Sequence, residues 1–249
     1  NISKMKQDTP LGSRIVEVHN GSSLFTGDAG SGESNARRYM IENDLVEAII
    51  ALPEKMFYNT GIGTFIWVLS NRKEERRKGK IQLIDATAIK TPLRKNMGEK
   101  NCELSPAQRQ EIVRIFMAFE ESEVSRIFPN SEFGDWKVSV QQPLLAEQGN
   151  PALDKKGRIQ PDKAKADTEI IPFRYEGGIE AFMDAEVRPY APGAYIDPKA
   201  TKIGYELSFT KYFYKPVQLR PMEDIVADLK ALEKETDGML AEILGGIQG

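Results

Sequence analysis

An aromatic pair, Phe57 and Tyr58, followed by Asn59, Thr60 and the glycines Gly61 and Gly63, is the stretch of this sequence best equipped for chemistry. It lies between two short apolar runs, Leu45 to Leu52 and Ile62 to Leu69. Both are rich in Ile, Val and aromatics and show no polar alternation, so they read as strands buried on two faces. Pro53 ends the first run, since it has no N–H for a ladder. The linker therefore falls at the end of a sheet, where α/β enzymes build their sites. Other chemistry is thinly supplied. His19 is the only histidine and Cys102 the only cysteine, well apart, which argues against a zinc site and excludes an internal disulfide. His19, beside the Asn20-Gly21 turn, reads as a structural or surface residue. Residues 27–32, GDAGSG, stand where a phosphate-binding loop would. Their spacing is neither Gly-x-Gly-x-x-Gly nor a Walker A, and no Lys-Ser/Thr follows. They read as a flexible loop with Ser34 as N-cap for a helix over 35–44.

The elements that must position this linker can be taken along the chain. A short strand is expected at 14–18. The helix 35–44 carries a narrow stripe of Ala36, Tyr39 and Met40, with Arg37 and Arg38 on a solvated face. The strands on either side of the linker are joined too closely for a helical crossover, so they should pair antiparallel. Residues 72–80, RKEERRKGK, read as a solvated turn with some capacity for phosphate contact. A strand over 81–85 precedes a polar, basic stretch, 90–101, which reads as an exposed loop. Lys90, Arg94, Lys95 and Lys100 make that loop the better phosphate-contact candidate. Ser105-Pro106-Ala107-Gln108 is a helix start with N-cap, first-turn proline and capping box. Ile112, Ile115, Phe116 and Phe119 form the buried stripe of that helix, to about Glu121. Another strand is expected from Trp136 to Val140.

From Pro143 to Thr168 apolar periodicity is lost, and the segment reads as a basic linker or arm. Aromatics from Tyr190 to Tyr214 then concentrate in a stretch expected to be irregular, stapled onto the domain by its rings. The last element is a helix over 221–245. Ile225, Leu229, Leu232, Thr236, Met239 and Ile243, spaced alternately by four and three, give it a coiled-coil seam that needs a partner helix. Composition sets outer limits. The 249 residues suffice for one large domain with an appendage, and 29% charged with 40% hydrophobic residues is ordinary for a soluble globular protein. A net charge of −3 supplies no global positive field to draw the chain to nucleic acid. No run approaches a membrane span, no signal peptide is visible, and a lone cysteine fits a cytoplasmic protein.

The stretch ALPEKMFYNTGIGTFIWVLSNRK, preceded by HNGSSLFTGDAGSGESNARRYMIENDLVEAII, resembles the modification (M) subunit of type I restriction-modification systems. The likeness continues through DTEIIPF at 167–173 and KIGYELSFTKYFY at 202–214. Such subunits are DNA adenine-N6 methyltransferases that use S-adenosylmethionine. Two family motifs are missing from the sequence, the Phe-x-Gly-x-Gly-type cofactor loop and the Asn-Pro-Pro-Phe/Tyr tetrapeptide. The resemblance therefore implies the C-terminal half of a subunit, inactive alone and without tight cofactor binding. It implies an α/β fold: the C-terminal part of a Rossmann-like methyltransferase sheet, otherwise parallel with an antiparallel last strand, over 1–142. An extended tail over 143–220 and a docking helix over 221–249 would follow. Phe57, Tyr58 and Asn59 would shape the target-base pocket. Lys90, Arg94, Lys95 and Lys100 would meet the backbone of double-stranded DNA. Ile225, Leu229, Leu232, Met239 and Ile243 would dock on the specificity (S) subunit, with the restriction (R) subunit joining through the assembled complex. Neither a metal nor a membrane is expected. The alternative is a non-catalytic assembly or nucleic-acid-binding module.

Overall fold

The structure is a computed structural model that describes residues 1–146, 150–214 and 220–245, the side chains of 233, 235 and 237–245 excepted. The chain divides into two compact units, Asn1–Phe213 and Tyr214–Gly249. The first unit begins with β1 (Arg14–Asn20), α1 (Gly32–Glu42), β2 (Val46–Ala51), β3 (Thr64–Ser70) and β4 (Lys80–Asp85). It continues through β5 (Thr91–Met97), β6 (Lys100–Glu103), α2 (Pro106–Ala118), β7 (Ser125–Pro129) and β8 (Gly134–Gln141). It closes with β9 (Asp167–Pro172), α3 (Gly178–Phe182), β10 (Tyr195–Ile196), β11 (Lys202–Tyr205) and α4 (Phe209–Phe213). The second unit carries α5 (Met222–Gly245).

The main sheet runs β1-β3-β2-β4-β7. β3 lies antiparallel between β1 and β2, as the short linker requires. β2 and β4 are parallel, and β7 returns antiparallel to β4. The fold is thus mixed α/β, and the expected run of parallel strands is represented here by one pair. Every residue of β2 is buried, which explains why its sequence lacks alternation. On one face Ile41, Val46, Ile49, Trp67, Leu69 and Leu83 form a core. On the other, Ala48, Ile50, Val68 and Ile84 meet Ile112 of α2. α2 starts as its sequence dictates, with Ser105 and Gln108 in a reciprocal capping box, and ends at Phe119 in the left-handed region.

The stretch from 143 to 213 is more ordered than its composition suggests. Three of its strands, β9, β10 and β11, pair antiparallel with β8 to make a second sheet. Val138, Val140, Ile171, Met183 and Val187 fill the core of that sheet. Between β8 and β9 the chain folds back on itself through single bridges, Pro143↔Pro161, Leu145↔Pro151 and Leu153↔Ile159. Isolated bridges leave no periodic signature, so the segment read as a linker.

Four local expectations are corrected. α1 is capped at Ser31, and Ser34 lies inside its first turn, where its hydroxyl accepts the Tyr205 N–H at 3.3 Å. Arg37 is buried, not solvated: it donates to the carbonyls of Tyr205 at 2.7 Å and Thr26 at 2.8 Å. Burial pulls its pKa down, against the opposing charges of Glu206 and Glu33. The charge run is not wholly a solvated turn, since Lys73 and Arg77 are buried in it. Arg77 lies 4.3 Å from the ring centres of both Phe116 and Phe119 and 3.5 Å from the buried Glu47, which Arg14 also pairs at 2.9 Å. The stretch 90–101 is a hairpin, β5–β6, rather than a loop. In α5, Ile225, Leu229 and Leu232 are exposed, whereas the side chains of Met239 and Ile243 fall outside the described residues. Among the described residues no helix is long and apolar enough to cross a membrane.

Candidate functional site

Because β2 and β4 are parallel, their carboxyl ends lie at one edge of the sheet. The linker after β2 and the hairpin after β4 both leave from that edge, the end at which open α/β sheets place ligands. The mouth of the linker is closed by the Leu52 N–H on the Thr64 carbonyl, at 2.8 Å. Within it Phe57 and Thr60 form a bridge, so Tyr58 and Asn59 occupy the tip of a tight turn. The structure therefore brings together the three residues singled out for a pocket. It separates the two rings by environment. Phe57 is 37% exposed and lines a groove of about 470 Å³ with Val16, Val18 and Ile66 of the sheet and Val113 and Met117 of α2. Tyr58 is 58% exposed, and Asn59 is exposed beside it.

The β5–β6 hairpin is laid along this linker. The Glu99 N–H donates to the Tyr58 carbonyl and the Asn101 N–H to the Lys55 carbonyl, each at 3.0 Å. Between them the Lys100 ammonium donates to the Met56 carbonyl at 2.9 Å and stands 5.7 Å from the Tyr58 ring centre. Cys102, buried and free, contributes a weak bond from Sγ to the Glu54 carbonyl at 3.3 Å. The hairpin turns at Gly98, whose φ of 62° suits the first central position of a two-residue turn. A Cβ there would come within 2.8 Å of the Tyr58 carbonyl oxygen, so glycine is needed for contact as well as conformation. Lys90, Arg94 and Lys95 are exposed on the hairpin and its approach, whereas Lys100 is partly buried. Sequence reasoning grouped these four cations. Only the fold, by pairing 99–102 against 54–58, distinguishes the fourth.

The other sequence candidates do not join this site. The GDAGSG loop packs on its own side chains and the second sheet. A Cβ on Gly27 would strike Ser31 Oγ, one on Gly30 would touch the Lys202 side chain, and Asp28 is paired with Lys137 at 2.7 Å. That hydrogen bond holds the Asp28 carboxyl below its ordinary pKa. The cavity beside this loop, lined by Gly27, Asp28 and Ala29, is about 90 Å³, too small for a nucleotide-like cofactor. His19 is exposed, 3.3 Å from the Glu17 carboxylate. Among the described residues no three His, Cys, Asp or Glu side chains are grouped to hold a metal.

The family model for N-6 DNA methylases matches residues 6–139, more than half of the chain and all of the site just described. The chain belongs to that family. Among curated relatives, the type I restriction enzyme MjaVII methylase subunit of Methanocaldococcus jannaschii is 30% identical over 152 residues, covering 57% of this chain and 25% of that protein. The HindI methylase subunit of Haemophilus influenzae is 37% identical over 81 residues, 32% of this chain and 17% of the relative. The match thus spans a quarter or less of the length of either. A crystal structure of a type I restriction-modification methyltransferase subunit from Streptococcus thermophilus aligns with 48% of this chain and 23% of its own, at a TM-score of 0.41 and 21% identity.

Proposed function

We propose that this chain is part of a type I modification subunit that transfers a methyl group from S-adenosylmethionine to N6 of adenine in double-stranded DNA. The observation that carries this reading is the aromatic turn, Phe57-Tyr58-Asn59, at the carboxyl edge of the parallel pair within the family-matched region. An enzyme that modifies a base inside a duplex must extrude it and offer it a π face. Tyr58, the more open ring, is assigned that face. Phe57 anchors the turn in the apolar groove, and the Asn59 carboxamide borders the base edge. Lys90, Arg94 and Lys95, exposed on the hairpin and its approach, are assigned to the DNA backbone, where each neutralised phosphate adds to affinity without reading sequence. The methyl donor would be held by residues other than those described. The main sheet is then the later part of a Rossmann-like methyltransferase sheet.

α5 is assigned to assembly. Its exposed Ile225, Leu229 and Leu232 begin a heptad seam that suits a helix of the specificity subunit, through which the restriction subunit would also be reached. The test is methyl transfer from labelled S-adenosylmethionine to adenine N6 by the full-length subunit assembled with its specificity subunit, with the 249-residue chain alone expected to be inactive. Transfer to another atom, or none by the assembly, refutes the reading. A second reading, a non-catalytic assembly module, is favoured by the α5 seam. It predicts that the assembly forms normally while Tyr58→Ala leaves its methylation rate untouched.

A further inference from the structure

We propose that Lys100 is a positioning residue for Tyr58, not a phosphate contact, and that the β5–β6 hairpin is the clamp through which it acts. This rests on the base-stacking reading above. Four successive hairpin residues meet the linker in reverse order: Glu99 on the carbonyl of Tyr58, Lys100 on that of Met56, Asn101 on that of Lys55 and Cys102 on that of Glu54. The hairpin thus adds to the linker much as one strand adds to another, except that two rungs, from Lys100 and Cys102, are supplied by side chains. The charged one is Lys100. Its ammonium satisfies the carbonyl one residue before the aromatic pair and lies over the ring that follows.

The consequence for the ring follows from geometry. Tyr58 is 58% exposed, so apolar packing leaves its angle loosely held. A cation held over a phenol ring is attracted to its face and restricts its rotation. The face under Lys100 is unavailable to a base, which leaves the opposite face for stacking. Partly buried and already bonded, the Lys100 ammonium is also poorly placed to reach a phosphate, unlike the exposed Lys90, Arg94 and Lys95.

The experiment uses the full-length subunit assembled with its specificity subunit, with methylation read on the natural duplex and base extrusion on a second duplex carrying 2-aminopurine in place of the target adenine. Lys100→Met should lower the methylation rate about ten- to a hundredfold, the scale of a small misplacement of a reacting group. It should lower 2-aminopurine emission while leaving DNA affinity and its salt dependence unchanged. Lys100→Arg, which keeps a cation and donors, should recover most of both signals. Gly98→Ala should reproduce the Met phenotype from the backbone side, because its Cβ would press on the Tyr58 carbonyl. If Lys100→Met instead weakens DNA binding and reduces the salt slope by about one, Lys100 is a phosphate contact and the proposal is wrong. Should the Met variant melt early, Lys100→Arg decides: normal melting with no recovery of emission overturns the proposal. Tyr58→Ala separates the two ideas. If it keeps wild-type emission and rate, base stacking fails. If it loses both while Lys100→Met keeps them, only the positioning role fails.

Discussion

Truncating each ring of the aromatic pair should have opposite effects on stability and activity. Removing a fully buried Phe costs about 3–5 kcal/mol. Phe57 is 37% exposed, so roughly 60% of that penalty applies, about 2–3 kcal/mol. For a domain of this size each kcal/mol shifts Tm by about 2–4 °C, so Phe57→Ala should melt about 4–12 °C early. Tyr58 is 58% exposed, and its main identified contact is the Lys100 cation, worth about 0.5–1 kcal/mol at an open site. Tyr58→Ala should therefore cost about 1 kcal/mol, or about 2–4 °C. Activity should run the other way for the same change. Loss of one base stack costs about 1–3 kcal/mol, close to one or two decades in target-base binding. Tyr58→Phe, which keeps the π face, should retain most of the rate. Thermal melting of the chain and methyl transfer by the assembled subunit measure both sides. Equal losses of stability in the two alanine variants, or full activity in Tyr58→Ala, would refute the assignment of the open ring to the base.

Glu47 is 1% exposed and compensated by Arg77 and Arg14, so Glu47→Leu should destabilise by about 3–5 kcal/mol in urea unfolding by leaving Arg77 buried and unpaired. The double variant Glu47→Leu/Arg77→Met should recover much of that loss, and strict additivity would show that the pair is not coupled. Burial, with Glu206 and Asp28 nearby, raises the Asp135 carboxyl above its ordinary pKa, so the native state binds its proton more tightly than the unfolded one. That group's contribution to stability should fall as pH rises from the ordinary carboxylate value through the raised one. Asp135→Asn should therefore be stabilising at neutral pH, with the gain vanishing in acid, and a pH-independent difference would count against it. Deleting residues 222–249 from the full-length subunit should abolish co-purification with the specificity subunit, and retained stoichiometric assembly would move the docking surface elsewhere.

What the sequence made legible was what short-range physics decides. The runs flanking the aromatic turn are apolar on both faces because β2 and β3 are central strands, and the α2 capping box is written in four consecutive residues. Long-range pairing was not legible. Arg37 looked solvated because the carbonyls it serves, at Tyr205, Thr26 and Ser23, carry no side-chain signature. Arg77 sat in a run of charges, and nothing local announces that Glu47, across the fold, would draw it inside. The strands β9 to β11 were hidden by loop-like composition, because their partner β8 precedes them with a long excursion between. For the site, residue type pointed to Phe57, Tyr58 and Asn59. The different exposure of the two rings, and the partial burial of Lys100 against the linker, depend on long-range packing and have no local signature.

Asp44 bears on how the molecule assembles. It stands at the turn between α1 and β2 with φ of 55°, a conformation that Asp tolerates better than most residues. Its carboxylate receives the Lys73 ammonium at 2.6 Å, the Gly79 N–H at 2.9 Å and the Asn130 amide at 2.8 Å. Burial alone would raise its pKa, but these donors outweigh burial and hold it low. Three closures, over 29, 35 and 86 residues, are thus pinned at a single carboxylate. Closure entropy grows only with the logarithm of loop length, and a chain already pinned at Gly79 has less left to lose when Asn130 arrives. That favours an order of events in which the β2–β3 hairpin forms locally, β4 is drawn alongside β2 as the first loop closes, and β7 completes the sheet edge last. The linker bearing Tyr58 belongs to the earliest of these steps, and the β5–β6 hairpin laid along it belongs to a later one.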